Sequence, residues 1–331
     1  MPIIINTHLP AASTLANEGI FVMPTERAAK QDIRPLRLLI LNIMPTKERT
    51  ETQLMRLLAN TSLQVEVGLL IPGSYTPRHT SQEYLDTFYK TFDEVRHQYF
   101  DGLIITGAPV EQLPFEQVDY WKEFASILEW AVSHVYSSLF ICWAAQAALH
   151  HYYGLEKRSL RRKLSGVFRH VKTAGYMPLL RGFDDMFWAP HSRYTEIARS
   201  DILAKSEVSI LCEGPECGVY LASALAGRQI FVMGHPEYTA DTLRSEYERD
   251  IAEGRNPDVP QNYFMNDNPD LRVEVRWRSH ANLLFGNWLN YYVYQETPFD
   301  IGSMSAREQR ILAAQAQKEI RSAIAQAPAP P

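Results

Sequence analysis

The sequence predicts an α/β protein: a mostly parallel sheet flanked by helices, with an antiparallel section. Three observations predict it. Short apolar, β-rich runs recur along the chain, and each ends in turn residues. Segments with apolar residues at helical spacing lie between them. Several of the runs are apolar throughout rather than alternating, as strands buried on both faces are.

The elements follow in order. "LRLLILNIMP" (36–45) and "LQVEVGLL" (63–70) read as strands, separated by a helix in "TKERTETQLMRLLAN" (46–60). That helix opens with polar, cap-rich residues and continues with an apolar stripe. "DGLIITGAP" (101–109) is the next strand, and "FEQVDYWKEFASILEWAVSH" (115–134) has helical spacing throughout. "SLFICW" (138–143) is a strand feeding the alanine-rich helix "AAQAALHHYYG" (144–154), which Gly154 stops. Residues 160–225 are less regular, with short strands and turns, and form the antiparallel section. "RQIFVMGHPE" (228–237) is the last clear strand, and "NWLNYYVYQETPFD" (287–300) closes the globular part. Residues 1–300 thus read as one domain. Residues 301–331 read as an extension, a peripheral helix with a proline-rich end.

Composition excludes several classes. A net charge of −5 argues against a general nucleic-acid binder. No apolar run approaches the ~18 residues of a membrane span. "MPIIINTHLPAAS" lacks the basic and apolar regions of a secretory signal. Three cysteines favour a reducing compartment over a disulfide framework, so the expected location is the cytoplasm. Cys212 and Cys217, in "CEGPEC", have no second Cys/His pair at matching spacing, so no metal is expected there.

The strand ends "LNIMPTK", "TGAPVE", "ICWAAQ" and "GHPE" carry the chemistry, because open α/β sheets gather ligands and nucleophiles at their C-terminal edge. Cys142 stands at a strand-to-helix junction, the thiol version of a nucleophile elbow. The helix behind it favours negative charge on sulfur, Ala144 and Ala145 let that helix pack closely, and the Trp143 N–H faces an oxyanion. Phe140 occupies the place of the usual elbow glycine, and a buried cysteine at a strand end is the competing reading. His235 and Glu237 flank Pro236 after another strand. A carboxylate there would fix the imidazole tautomer and support its charged form. A surface turn holding His and Glu is the alternative.

Cys142, Ala144 and Gln146 match the C-x-G-x-Q elbow of class I glutamine amidotransferase-like proteins, with Ala for Gly, and His235-Pro236-Glu237 matches their later H-P-E. The expected fold is therefore the three-layer, flavodoxin-like one of that class. A glutaminase would fit these two motifs alone. The longer stretches "LNIMPTKERTETQLMRLLAN", "FDGLIITGAPVE", "HSRYTEI", "GHPEY", "YERD", "VPQNYF" and "RWRSHANLLFGNWLNYYVYQETP" resemble the cysteine-dependent homoserine O-acyltransferases of methionine biosynthesis, over roughly residues 1–300.

That resemblance implies acyl transfer from coenzyme A to the side-chain hydroxyl of L-homoserine, with no cofactor beyond the acyl-CoA co-substrate. It implies Cys142 as acyl-thioester nucleophile, His235 as proton acceptor and Glu237 as its partner. It places substrate binding on Lys163, Ser192 and Arg249. From the residues alone, Lys163 in "KRSLRRK" equally reads as a solvated basic face, and Arg249 as a helix-surface ion pair. Backbone N–H groups of Trp143 and Ile43 are expected to hold the oxyanion. The family uses acetyl-CoA or succinyl-CoA. The resemblance puts the discriminator at position 111, where Glu accompanies acetyl; Glu111 therefore implies acetyl-CoA, with succinyl transfer as the alternative. A surface cap or ion pair is the bland reading of Glu111. Lys47 and Glu246 are expected near the site without a catalytic role. A homodimer is compatible with the sequence, which shows no interface.

Overall fold

The computed structural model describes residues 3–297, apart from 19, 21, 24–33, 76–79, 174 and 176. Its strands are β1 Ile3–Ile4, β2 Val22–Met23, β3 Leu36–Leu41, β4 Val65–Ile71, β5 Tyr89–Thr91, β6 Phe100–Ile105, β7 Val135–Ile141, β8 Lys157–Lys172, β9 Met186–Ile197, β10 Val208–Gly214, β11 Gly218–Ala224 and β12 Gln229–Val232. They form one sheet in the order β2-β1-β4-β3-β6-β7-β12-β11-β10-β8-β9, with β5 on β4. Pairing is parallel from β2 to β12 and antiparallel from β12 to β9. The mostly parallel sheet with an antiparallel section is what the strand pattern predicts.

Alternation within the central strands sends side chains to two cores. Leu38, Ile40, Leu139 and Ile141 join one; Leu39, Leu41, Phe140 and Phe231 join the other. Because both faces are covered, β6 is buried along its whole length. The main helices are α1 Pro10–Asn17, α2 Lys47–Leu58, α3 Gln82–Phe88, α4 Phe92–Val95, α5 Trp121–His134, α6 Trp143–Tyr153, α7 Arg199–Leu203, α8 Thr242–Ala252 and α9 Arg278–Asn287. Leu54, Leu58, Leu284 and Phe285 put α2 and α9 on the first face. Phe124, Ile127, Ala144 and Ala148 put α5 and α6 on the second. This is the three-layer arrangement.

Two boundaries differ from expectation. The helical pattern over 115–134 is split. Phe115–Gln117 form a 3-10 turn, Val118 is extended at φ −75° and ψ 127°, and α5 starts at Trp121. Phe115 and Val118 point inward from this irregular stretch, which mimics helical spacing. Strand β7 starts at Val135, earlier than the apolar run suggests, because Ser137 is buried against Gly227 O (2.8 Å) and the Trp288 indole N–H (2.9 Å). The expected helix beyond residue 300 lies outside the described residues. Among the described residues, no helix is long and apolar enough to cross a membrane.

Candidate active site

The C-terminal ends of β3, β6, β7 and β12 bring their loops to one edge of the sheet. Cys142 lies between β7 and α6 with φ 52° and ψ −112°, a conformation that costs a non-glycine residue energy. Its N–H is held by Val232 O at 2.7 Å, which ties the elbow to β12. Intrahelical bonding in α6 begins with the Ala145 and Gln146 amides on Cys142 O, so the Trp143 and Ala144 N–H groups precede the ladder. Gln146 anchors α6 to β9 through a reciprocal pair with Thr195, 3.2 Å to its carbonyl and 2.9 Å from its hydroxyl.

His235 follows β12, its N–H on Pro190 O at 2.8 Å. Its Nδ1 is 2.7 Å from Glu237 Oε1, and both side chains are buried. Burial disfavours the imidazolium. The negative charges of Cys142 and Glu237 and hydrogen bonds to both override it, and the His235 pKa rises well above its usual value. Nε2 is thereby left for Cys142. Tyr238 stacks on the imidazole at 4.1 Å. Gly107 leaves room for this pair: a Cβ there would stand 3.4 Å from both Cys142 Cβ and His235 Cε1.

A cavity of about 740 Å³ opens over the sulfur and is lined by Cys142, His235, Glu111, Lys163, Ser192, Glu246 and Arg249. The far wall is ionic. Asp250, almost without solvent exposure, receives Lys163 Nζ at 2.8 Å and Arg249 at 2.7 Å. Burial would raise its pKa, but these two cations hold its carboxyl below the usual range. Glu246 accepts the Ser192 hydroxyl at 2.5 Å and the Tyr238 hydroxyl at 2.7 Å, with Lys163 at 3.5 Å. Glu111 Oε1 accepts the Tyr194 N–H at 3.1 Å. Desolvation raises its pKa, opposed by that amide and by His235 and Lys163.

The structure therefore brings Cys142, His235, Glu237, Lys163, Ser192, Arg249, Glu111 and Trp143 to one site. Ile43 is the exception among the expected residues. Its N–H donates to Thr106 Oγ1 at 2.9 Å, and the residue is not among those lining the cavity. Lys47 lies beneath the loop after β3, on Asn42 O at 2.5 Å and Met44 O at 3.0 Å, with its pKa lowered to about 8 mainly by burial. Asp250 went unrecognised in the sequence. Its signal was available only as a carboxylate next to Arg249 in "YERD".

Cys217 joins a buried cluster of possible ligand atoms. Its sulfur is 3.1 Å from His170 Nε2, which is 3.0 Å from His191 Nε2, and these three groups are buried together. Arg193 Nε donates to His191 Nδ1 at 3.5 Å, which leaves the proton on His191 Nε2 facing His170. The three ligand atoms lie within 4.8 Å of one another, a spacing that could hold a metal ion.

A family model described as homoserine O-succinyltransferase matches residues 2–299. The chain belongs to that family. A homoserine O-acetyltransferase of Petrotoga mobilis is 55% identical over 304 residues, covering 92% of this chain and 98% of the relative. One from Acetivibrio thermocellus is 56% identical over 304 residues, 92% of this chain and 100% of the relative. A homoserine O-succinyltransferase of Shewanella sp. (strain ANA-3) is 54% identical over 306 residues, 92% of this chain and 98% of the relative. The family thus implies homoserine and an acyl-CoA as substrates, and relatives of both acyl specificities lie at similar identity. Among solved structures, SMU.1228c superposes with a TM-score of 0.50 at 14% identity, covering 76% of this chain and 97% of that one. A glutamine amidotransferase of Thermotoga maritima gives 0.48 at 11% identity, covering 89% of this chain and all of that one. The likeness to SMU.1228c, at 14% identity, is one of fold.

Proposed function

We propose that this chain transfers an acetyl group from acetyl-CoA to the side-chain hydroxyl of L-homoserine, through a thioester on Cys142. His235 takes the Cys142 proton, and the thiolate attacks the thioester carbonyl. The Trp143 N–H at the start of α6 faces the developing oxyanion. The tetrahedral intermediate collapses, the bond to the CoA sulfur breaks, and His235 gives its proton to the departing thiolate. Acylation removes the negative charge on Cys142 that helps raise the His235 pKa. The imidazole is then a neutral base for the homoserine hydroxyl. The hydroxyl oxygen attacks the acyl carbon, Cys142 leaves as thiolate, and O-acetylhomoserine is released.

Homoserine brings one ammonium and one carboxylate. Arg249 and Lys163 suit the carboxylate. Glu246, beside Ser192, suits the ammonium.

The observation that carries the acetyl reading is the Glu111 carboxylate, fixed in the cavity by the Tyr194 amide. A succinyl group would bring a second carboxylate into the same poorly solvated space. Two such charges at 4 Å repel by roughly 4 kcal/mol with an effective dielectric near 20. That corresponds to a discrimination on the order of a thousandfold. The test is kcat/KM with acetyl-CoA and succinyl-CoA for wild type and Glu111→Gly. Wild type should prefer acetyl-CoA, and the variant should gain succinyl transfer. A wild type that prefers succinyl-CoA overturns the acyl assignment.

A further inference from the structure

Glu111 belongs to the turn after β6, closed by the Leu113 N–H on Val110 O at 3.1 Å. Two carbonyls of this turn face the start of β8. Lys157, the first residue of β8, donates from Nζ to Glu111 O at 2.7 Å and also to Leu113 O. The same ammonium stands 4.2 Å from the centroid of the Phe115 ring. From the other side, the β9 amide of Tyr194 holds the Glu111 carboxylate. Position 111 is therefore fixed twice, its main chain by β8 and its side chain by β9. An ordinary surface lysine keeps its donors in water; this one spends them on the turn that carries the acyl discriminator, and it does not line the cavity itself.

We infer that Lys157 is a positioning residue for acyl-donor choice: its ammonium clamps the 110–113 turn and keeps the Glu111 carboxylate in the acyl pocket. The inference rests on the reading of Glu111 given above. A carboxylate excludes succinyl only while it stays where the distal succinyl charge would go. One that swings toward solvent is screened, and its repulsion falls with distance and dielectric. Loosening the turn therefore costs discrimination before it costs chemistry, because Cys142, His235 and Glu237 are held by other elements.

The experiment measures kcat/KM for acetyl-CoA and succinyl-CoA in wild type, Lys157→Met, Glu111→Gly and the double variant. Lys157→Met keeps an apolar stem against Phe115 and removes the ammonium. The succinyl-to-acetyl ratio should rise at least about tenfold in Lys157→Met, the factor expected when one charge-assisted hydrogen bond is lost. Adding Lys157→Met to Glu111→Gly should change the ratio by less than about twofold, because no carboxylate remains to be positioned. A wild-type ratio in Lys157→Met, or an equal shift on both backgrounds, overturns the clamp. A ratio unmoved by Glu111→Gly overturns the Glu111 reading itself, and the clamp with it. If Lys157→Met does not fold, Lys157→Gln, which keeps N–H donors but loses the charge, is read by the same criteria.

Discussion

Replacing Asp250 by Asn removes a negative charge at the point where the cations of the acceptor wall meet. The Asp250 carboxylate lies 2.8 Å from Lys163 Nζ, 2.7 Å from Arg249 and 3.8 Å from Arg255, with its side chain 1% exposed. Asn keeps the volume and one acceptor oxygen, but its amide nitrogen must face one of the two close cations. At least one charge-assisted hydrogen bond is lost, worth about 1.5–3 kcal/mol. Lys163 then has Glu246 as its remaining carboxylate, already 3.5 Å away. Closing on Glu246 would neutralise the group left for the homoserine ammonium. The expected result is a fall of about 10- to 150-fold in kcat/KM for homoserine. Acylation of Cys142 by acyl-CoA alone should proceed at close to the wild-type rate, because Asp250 does not touch the elbow. Rapid-quench mass spectrometry without homoserine reads the first half-reaction, and steady-state kinetics with varied homoserine reads the second. An unchanged kcat/KM for homoserine, or an equal loss in both half-reactions, would refute the assignment of the Lys163–Arg249–Asp250 cluster to homoserine binding. Stability carries a second signature. The folded Asp250 pKa is depressed, so its contribution is present above the unfolded pKa and is lost as pH falls through the folded value. Asp250→Asn should lack that acid-range loss.

Three further outcomes follow from the geometry. Cys142→Ala and Cys142→Gly should both lose transfer, yet Cys142→Gly should be about 1 kcal/mol more stable in denaturant titrations, since glycine relieves the positive φ at this position. Equal stabilities would mean that the elbow relaxes without cost. His170 is held neutral, its pKa pushed down to about 3 chiefly by burial, so its native state takes up no proton as pH drops below the unfolded value. The resulting stability is present above about pH 6.5 and is lost by roughly 2.5 kcal/mol between pH 7 and 4.5. His170→Phe, which keeps a ring against Phe187, should flatten that part of the stability–pH curve; a curve as steep as wild type would place the acid sensitivity elsewhere.

The central sheet was legible because parallel strands buried on both faces leave unbroken apolar runs, as in "LRLLIL" and "LIIT". The elbow was legible because Cys142 interrupts such a run just before a stretch of alanines. Long-range partners were not. Nothing local in "KRSLRRK" distinguishes Lys157, which reaches the Glu111 turn, from Lys163, which reaches Asp250. The hydrogen bond of the Ile43 amide was not readable, because its acceptor, the Thr106 hydroxyl, comes from the neighbouring strand end and depends on the β3–β6 register. The break at Val118 escaped notice because inward-facing Phe115 and Val118 keep helical spacing without a helix. His170 and His191 lie on β8 and β9, and Cys217 on the turn between β10 and β11, elements whose antiparallel pairing the sequence shows only as irregular alternation.

The covalent step is the claim on which the rest stands. Incubating the full chain with acetyl-CoA in the absence of homoserine, and reading the intact mass and the peptide that contains Cys142, tests it directly. The account predicts one acetyl group on Cys142, absent in Cys142→Ala, and discharged on addition of homoserine with formation of O-acetylhomoserine. An unmodified Cys142 in a protein that still turns over when both substrates are present would contradict it, and would require direct transfer between the two bound substrates.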